Sequence, residues 1–154
     1  WLLPRLFPEI IRPWEKSSHL LRGIMSYPVT ILILVLVVPW QYKDVVAGAW
    51  AILAIGDASS DLVSRWVGWH YWSWNRSKTI EGTFFFGLLG FLAAMGMMLW
   101  TTPTLTWNGI WLGVLIASLV AGFLESLPLP WDDNITIGVS SALILLLFRG
   151  YILM

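Results

Sequence analysis

Residues 45–68 read VVAGAWAILAIGDASSDLVSRWVG, an uncharged run that meets Gly56-Asp57 and then Asp61 and Arg65. From Val45 to Ile55 the run is too short to cross a bilayer alone, because so short a helix rises only about 16 Å against a hydrocarbon core of about 30 Å. The chain has two ways forward. It continues as a helix through Asp57, Ser59, Ser60 and Asp61 toward Trp66, or it breaks near Gly56 and leaves its acids in a protein-lined cavity. In either case carboxylates sit beside a membrane helix, where each costs roughly 2.5 kcal/mol or more if it enters hydrocarbon unpaired.

Four other apolar runs surround this one: Gly23–Val38, Gly82–Trp100, Asn108–Leu124 and Ile135–Phe148. Composition agrees with lipid as the solvent. The chain is 58% apolar and 12% charged, whereas a soluble domain carries roughly a quarter of its residues charged. The expected fold class is all-α, a polytopic transmembrane helical bundle of about five spans, forming one integral membrane domain over residues 1–154. Within it, residues 1–22 mix Pro, Trp, Arg, Glu and Lys with Leu6, Ile10, Ile11 and Trp14, the pattern of an interfacial amphipathic segment. Residues 23–154 form the expected transmembrane core. Twelve tryptophans fit an aromatic belt, since Trp40, Trp50, Trp100, Trp107 and Trp131 fall near the ends of apolar runs. The absence of cysteine excludes disulfides and thiolate metal sites. Zero formal net charge gives no electrostatic reason to expect a nucleic acid partner. The first residue is not Met, and a further segment upstream is expected.

Five crossings put the N-terminal segment, residues 57–81 and residues 125–134 on one side of the bilayer. Seven of nine basic residues fall there, Arg5, Arg12, Lys16, Arg22, Arg65, Arg76 and Lys78, which makes that side cytoplasmic by the positive-inside rule. Eight of nine acids lie there too, so the asymmetry reads as a polar site as well as a topological signal.

Four clusters on that side can carry chemistry. Asp57, Asp61 and Arg65 step by four residues and share one helix face. Two carboxylates so placed can hold a hard cation such as magnesium, and the arginine can take a phosphate oxygen. The plainer alternative is an Asp61–Arg65 ion pair with Asp57 as a helix cap. Next, Asn75-Arg76-Ser77-Lys78-Thr79-Ile80-Glu81-Gly82-Thr83 puts cations and hydroxyls at a helix start, where free N–H groups and the dipole favour a polyphosphate. It lacks the glycine-rich turn of a P-loop. Here the alternative is topogenic charge at Arg76 and Lys78 with Thr79 as cap. The third cluster runs from Glu125 to Asp132-Asp133-Asn134, where Asp133 or Asn134 can cap the following helix. The fourth is Lys16-x-x-His19, with Gly23 one turn further on.

Taken in order, the four clusters resemble the membrane family of CTP-dependent lipid kinases, which includes dolichol, phytol and diacylglycerol kinases and, more distantly, phosphatidate cytidylyltransferases. Lys16, His19 and Gly23 resemble that family's entry to its first core helix. Gly56, Asp57, Asp61, Arg65 and Gly68 are similar to its Gly-Asp element, and Asn75, Lys78, Thr79, Glu81 and Gly82 to its Lys-Ser/Thr-x-Glu-Gly element. The acidic segment Glu125 to Asn134 resembles the kinase branch, and no Pro-Gly-His-Gly-Gly stretch of the cytidylyltransferase branch is present. Ser60, Ser64 and Glu15 depart from the kinase pattern, the last by reversing a charge.

The resemblance implies transfer of the γ-phosphate of CTP, or another nucleoside triphosphate, to the hydroxyl of a long-chain lipid alcohol. It implies magnesium as cofactor, held by Asp57 and Asp61 with Glu81 as a further ligand. Lys16, Arg65, Asn75, Arg76, Lys78, Thr79, Gly82 and Asn134 are the expected nucleotide and phosphate contacts. Asp133 or His19 is the expected proton acceptor, beside Lys78 in the reacting centre. The partners expected are the bilayer, the lipid alcohol and the nucleotide, with an oligomer or larger membrane complex as a further expectation. Two rivals stand: a CTP:phosphatidate cytidylyltransferase, and a non-catalytic subunit of a membrane assembly.

Overall fold

A computed structural model describes residues 17–152, the side chains of 17–24, 107, 109, 151 and 152 excepted. The fold is an all-α bundle. Helix α1 is Ser17–Val37, α2 is Lys43–Ala51, α3 is Asp57–Val67, α4 is Ile80–Thr101, α5 is Trp107–Ser126 and α6 is Asp133–Ile152. A single turn, Trp40–Tyr42, leads into α2, and a π turn, Ile52–Gly56, joins α2 to α3 without a break. The choice left open at Gly56 is therefore decided in favour of continuity. The composite rod Trp40–Val67, with α4 and the Asp133–Gly150 part of α6, is long and apolar enough to cross a membrane, and Met25–Val37 and Ile110–Ser126 are shorter apolar helices.

Helix continuity follows from local satisfaction. Ser59 Oγ donates to the Gly56 carbonyl at 2.7 Å and lies 3.2 Å from the Phe85 carbonyl, so polar groups just past the apolar run have partners inside the bundle. Gly56 also admits a neighbour, since a Cβ there would stand 2.8 Å from Cε1 of the Phe86 ring, which is fully buried. Along the rod the residues rise about 1.5 Å each, so Asp57 lies about 26 Å and Asp61 about 32 Å beyond Trp40. That separation matches the thickness of a hydrocarbon layer, about 30 Å.

Helix α4 lies centrally, against α2, the π turn and α3 on one side and α5 on the other, while α6 packs on α5, α2 and α1. The core is built of Val45, Ala49, Ile52, Leu53, Phe86, Ala94, Met95, Met98, Val114, Ala117, Ile137 and Leu145, all nearly inaccessible. Small residues set the spacing, as expected where lipid supplies no hydrophobic drive and van der Waals contact must. At Gly48 a Cβ would meet Met98 Sδ at 2.9 Å, and at Gly138 it would meet Thr30 Cγ2 at 2.5 Å, where α1 and α6 touch. The outward face is apolar: Leu36, Leu92, Leu119, Phe123, Leu143 and Leu147 are more than half exposed. At the end remote from the acids, Arg149 Nε donates to Asp44 Oδ2 at 2.7 Å, joining α6 to α2 in a buried pair.

Candidate active site at one end of the bundle

The loop from Gly68 to Thr79 folds back on itself. Tyr71 and Thr79 form an isolated antiparallel bridge, the Ile80 amide donates to the His70 carbonyl at 2.8 Å, and the Trp72 amide to the Lys78 carbonyl at 3.2 Å. Its tip is an Asn-led turn in which Asn75 Oδ1 accepts from the Ser77 amide (3.1 Å) and hydroxyl (2.6 Å). Trp72 and Trp74 stack with centroids 4.5 Å apart. Their indole N–H groups fasten the loop to the helices, Trp72 to Thr83 Oγ1 at 3.0 Å and Trp74 to the Ser126 carbonyl at 3.1 Å. This arrangement carries Lys78 to the end of α5.

There Lys78 Nζ donates to Glu125 Oε1, which also accepts from Ser60 Oγ at 3.1 Å. Glu125 is 1% exposed, and its second oxygen, Oε2, has no hydrogen-bond partner among the described residues. Asp57 and Asp133 lie within Coulombic reach of both Lys78 and Glu125. Burial pushes the Lys78 pKa down, but the charge and hydrogen bond of Glu125, then the charges of Asp57 and Asp133, outweigh it and hold the group above its ordinary 10.5. Lys78 is therefore a cation throughout the neutral range.

Of the residues expected from sequence, the structure brings Asp57, Asp61, Lys78 and Asp133 to one place. Asp61 accepts from Arg65 Nη2 at 3.2 Å with both side chains about half exposed, as the plainer reading of that helix face allows. Thr79 caps α4, its hydroxyl accepting from the Gly82 amide at 3.0 Å and sharing a hydrogen bond of 2.7 Å with Ser64. Gly82 marks the crossing of α3 and α4, since a Cβ there would meet Ser64 Oγ at 2.3 Å. Asn134 Nδ2 donates to Ser26 Oγ at 2.9 Å, which brings the α1 end nearer its N-terminus to the start of α6. His19 lies two turns before Ser26 in the α1 backbone, and its side chain is outside the described residues, as is Lys16 altogether. Arg76 is exposed. Glu81 is engaged by His70, whose Nδ1 stands 2.6 Å from Oε1. The cap of α6 is Asp132, which accepts from the Asn134 amide at 3.0 Å, so Asp133 is not occupied in capping.

Glu125 is the residue that sequence reasoning placed in a cluster without giving it a role. The available signal was a carboxylate in the last turn of an otherwise uncharged helix, a position that calls for a named partner. Among the described residues no three carboxylates or imidazoles converge as a closed cation site. Asp57 and Asp61 supply two oxygen donors one turn apart, which fits magnesium, an ion that takes one or two carboxylates and completes its shell with phosphate oxygens and water.

The chain has similar sequences among known proteins. The chain is 32% identical to the chloroplastic probable phytol kinase 3 of Glycine max over 131 residues, 82% of this chain and 41% of that protein. It is 30% identical to the chloroplastic farnesol kinase of Arabidopsis thaliana over 130 residues, 81% of this chain and 42% of that protein. Its relatives are phytol and farnesol kinases. The probable phytol kinase 2 of Oryza sativa subsp. japonica is 28% identical over 82% of the chain. The chain spans about two fifths of the length of these curated relatives. No family model and no solved structure matches it.

Proposed function

We propose that the chain is a membrane lipid kinase that transfers the γ-phosphate of CTP, or another nucleoside triphosphate, to the hydroxyl of a long-chain lipid alcohol such as phytol, a polyprenol or diacylglycerol. The observation that carries this is the convergence of Asp57, Ser60, Glu125 and Asp133, from α3, α5 and α6, around one partly buried cation, Lys78, at one end of an apolar bundle. The names of its relatives support the same reaction class. In this reading the five long helices cross the bilayer and the charged end faces the cytoplasmic side.

Phosphoryl transfer asks for charge neutralisation and in-line positioning more than for covalent chemistry. Lys78 binds oxygens of the transferred group, exchanging part of its contact with Glu125 for them, and Arg65 and Arg76 approach the nucleotide phosphates from the solvent side. Asp133 takes the proton of the substrate hydroxyl as that oxygen bonds to the γ-phosphorus; the bond to the bridging oxygen breaks and its electron pair leaves with CDP. Magnesium, when bound to Asp57 and Asp61, supplies charge neutralisation at the phosphate oxygens, and Glu81 joins only by releasing His70.

The test is product analysis with the purified protein, magnesium, a panel of lipid alcohols together with phosphatidate, and CTP labelled at either the α- or the γ-position. A kinase moves the γ-label to the lipid and releases CDP; a cytidylyltransferase moves the α-label and releases pyrophosphate. Asp57→Asn is expected to abolish transfer while the protein remains inserted, and full retained activity would remove the metal assignment.

A further inference from the structure

A groove of about 400 Å³ runs along the outer seam of α4 and α5, within the size range of small-molecule sites. Ile80, Phe84 and Leu88 form one wall, Leu119 and Phe123 the other, and Trp72 closes the end toward the loop. Gly87 keeps the floor low, for even a Cβ there would come to 3.6 Å from Leu119 Cδ2. Phe84, Leu119 and Phe123 are all more than half exposed, so the groove opens sideways into the bilayer and a lipid chain enters it without crossing water.

Two observations identify its occupant. First, the groove leads to the charged cluster. The Trp72 amide is bonded to the Lys78 carbonyl, and Trp72 stacks on Trp74, which is bonded to Ser126 next to Glu125, so the closed end of the groove is built on both halves of the Lys78–Glu125 pair. Two other apolar grooves, one between Ile55 and Trp100 and one beside Trp40 and Lys43, take in no residue of the charged cluster or of the Gly68–Thr79 loop. Second, the described residues that line the groove offer it no spare side-chain hydrogen-bond donor. Its polar side-chain atoms are the Trp72 indole and the Thr83 hydroxyl, and they are spent on each other, Thr83 also donating to the Thr79 carbonyl at 3.1 Å. Ester carbonyls, which are hydrated at the interface of a bilayer, would go unpaired in such a lining, at a cost a plain hydrocarbon chain does not meet.

We propose that the α4–α5 groove seats the tail of a single-chain isoprenoid alcohol, with its hydroxyl directed past Trp72 toward Lys78 and Glu125, and that it disfavours diacylglycerol. This rests on the kinase reading and narrows its substrate class. The test has two arms on the full protein in lipid nanodiscs. A farnesol analogue with a diazirine at the tail is expected to label peptides of α4 and α5 that contain Phe84, Leu88, Leu119 or Phe123, with competition by phytol and not by dioleoylglycerol. Label beside Trp50 and Trp100, label spread over the whole apolar surface, or equal competition by dioleoylglycerol would overturn the assignment. In the second arm, Leu119→Trp fills the groove at an exposed position and is expected to raise KM for phytol about tenfold with KM for CTP unchanged, whereas Leu92→Trp on the other groove leaves both unchanged. An active wild type whose Leu119→Trp variant keeps its KM for phytol defeats the groove and leaves the kinase standing. Specific labelling of the groove by an alcohol that the wild type never phosphorylates supports the groove and defeats the kinase.

Discussion

Replacing Lys78 by Met removes the ammonium from Glu125 and leaves a carboxylate that is 1% exposed with Ser60 as its one remaining donor. Breaking a buried pair from one side costs about 3–5 kcal/mol, because the surviving charge loses its partner and gains no water. The Lys78 side chain is 22% exposed, so the lower end, about 3 kcal/mol, is expected. Glu125→Gln alone strands the lysine instead, and the Lys78→Met/Glu125→Gln double variant strands neither charge. Its loss of stability should fall short of the sum of the two single losses by about 2 kcal/mol. Reversible unfolding in mixed micelles, followed by far-ultraviolet circular dichroism, measures all four corners of this cycle. Additivity within about 0.5 kcal/mol would refute the pair as a buried, coupled contact. The pH dependence has a definite sign: Lys78 titrates above its ordinary 10.5 in the fold, so the lysine's contribution is complete below that pH and drains away as pH climbs through the folded value. The same double variant separates structure from chemistry, for it should regain stability and remain inactive in transfer.

Gly56→Ala places a Cβ 2.8 Å from the Phe86 ring and should cost about 1–3 kcal/mol, with recovery on adding Phe86→Leu, both read in the same unfolding assay. Arg149→Met leaves fully buried Asp44, one of whose oxygens already lacks a partner, without its counter-charge. A loss of about 3–5 kcal/mol is expected, with transfer activity at low temperature unchanged because the pair lies at the end remote from Lys78; an unaltered melting transition would contradict the buried pair.

The helices were legible because a nearly uncharged run of about twenty residues has one solution in lipid. The observed ends fall close to the sequence limits, α4 at Ile80–Thr101 against Gly82–Trp100 and α5 at Trp107–Ser126 against Asn108–Leu124. Gly56 left two outcomes open because the partners that settle it are remote: the Phe86 ring and the Phe85 carbonyl come from α4. The charged cluster was legible as a collection of segments and not as a set of contacts. Lys78 and Glu125 are 47 residues apart and Asp44 and Arg149 are 105 apart, so no local spacing announces either pair. His70–Glu81 depended on the loop folding back through the Tyr71–Thr79 bridge, and Asp132, not its two neighbours, caps α6 because the helix begins at Asp133. In each case the residue type was informative and the partner was a property of the tertiary fold.

Among the described residues two long-range ion pairs stand at opposite ends of the bundle, Lys78–Glu125 holding the α4 approach to α5 and Asp44–Arg149 holding α2 to α6. Between those ends the 22 residues of α4 rise about 33 Å, close to the thickness of a bilayer's hydrocarbon core. A lone helix meets a thinner membrane by tilting. Each pair ties a different couple of helices, and at one end only, so swinging α5 away from α4 at the charged end opens Lys78–Glu125, while swinging α6 away from α2 at the other end opens Asp44–Arg149. A splay of α4 from α5 thus falls first on Lys78, at the centre of the charged cluster.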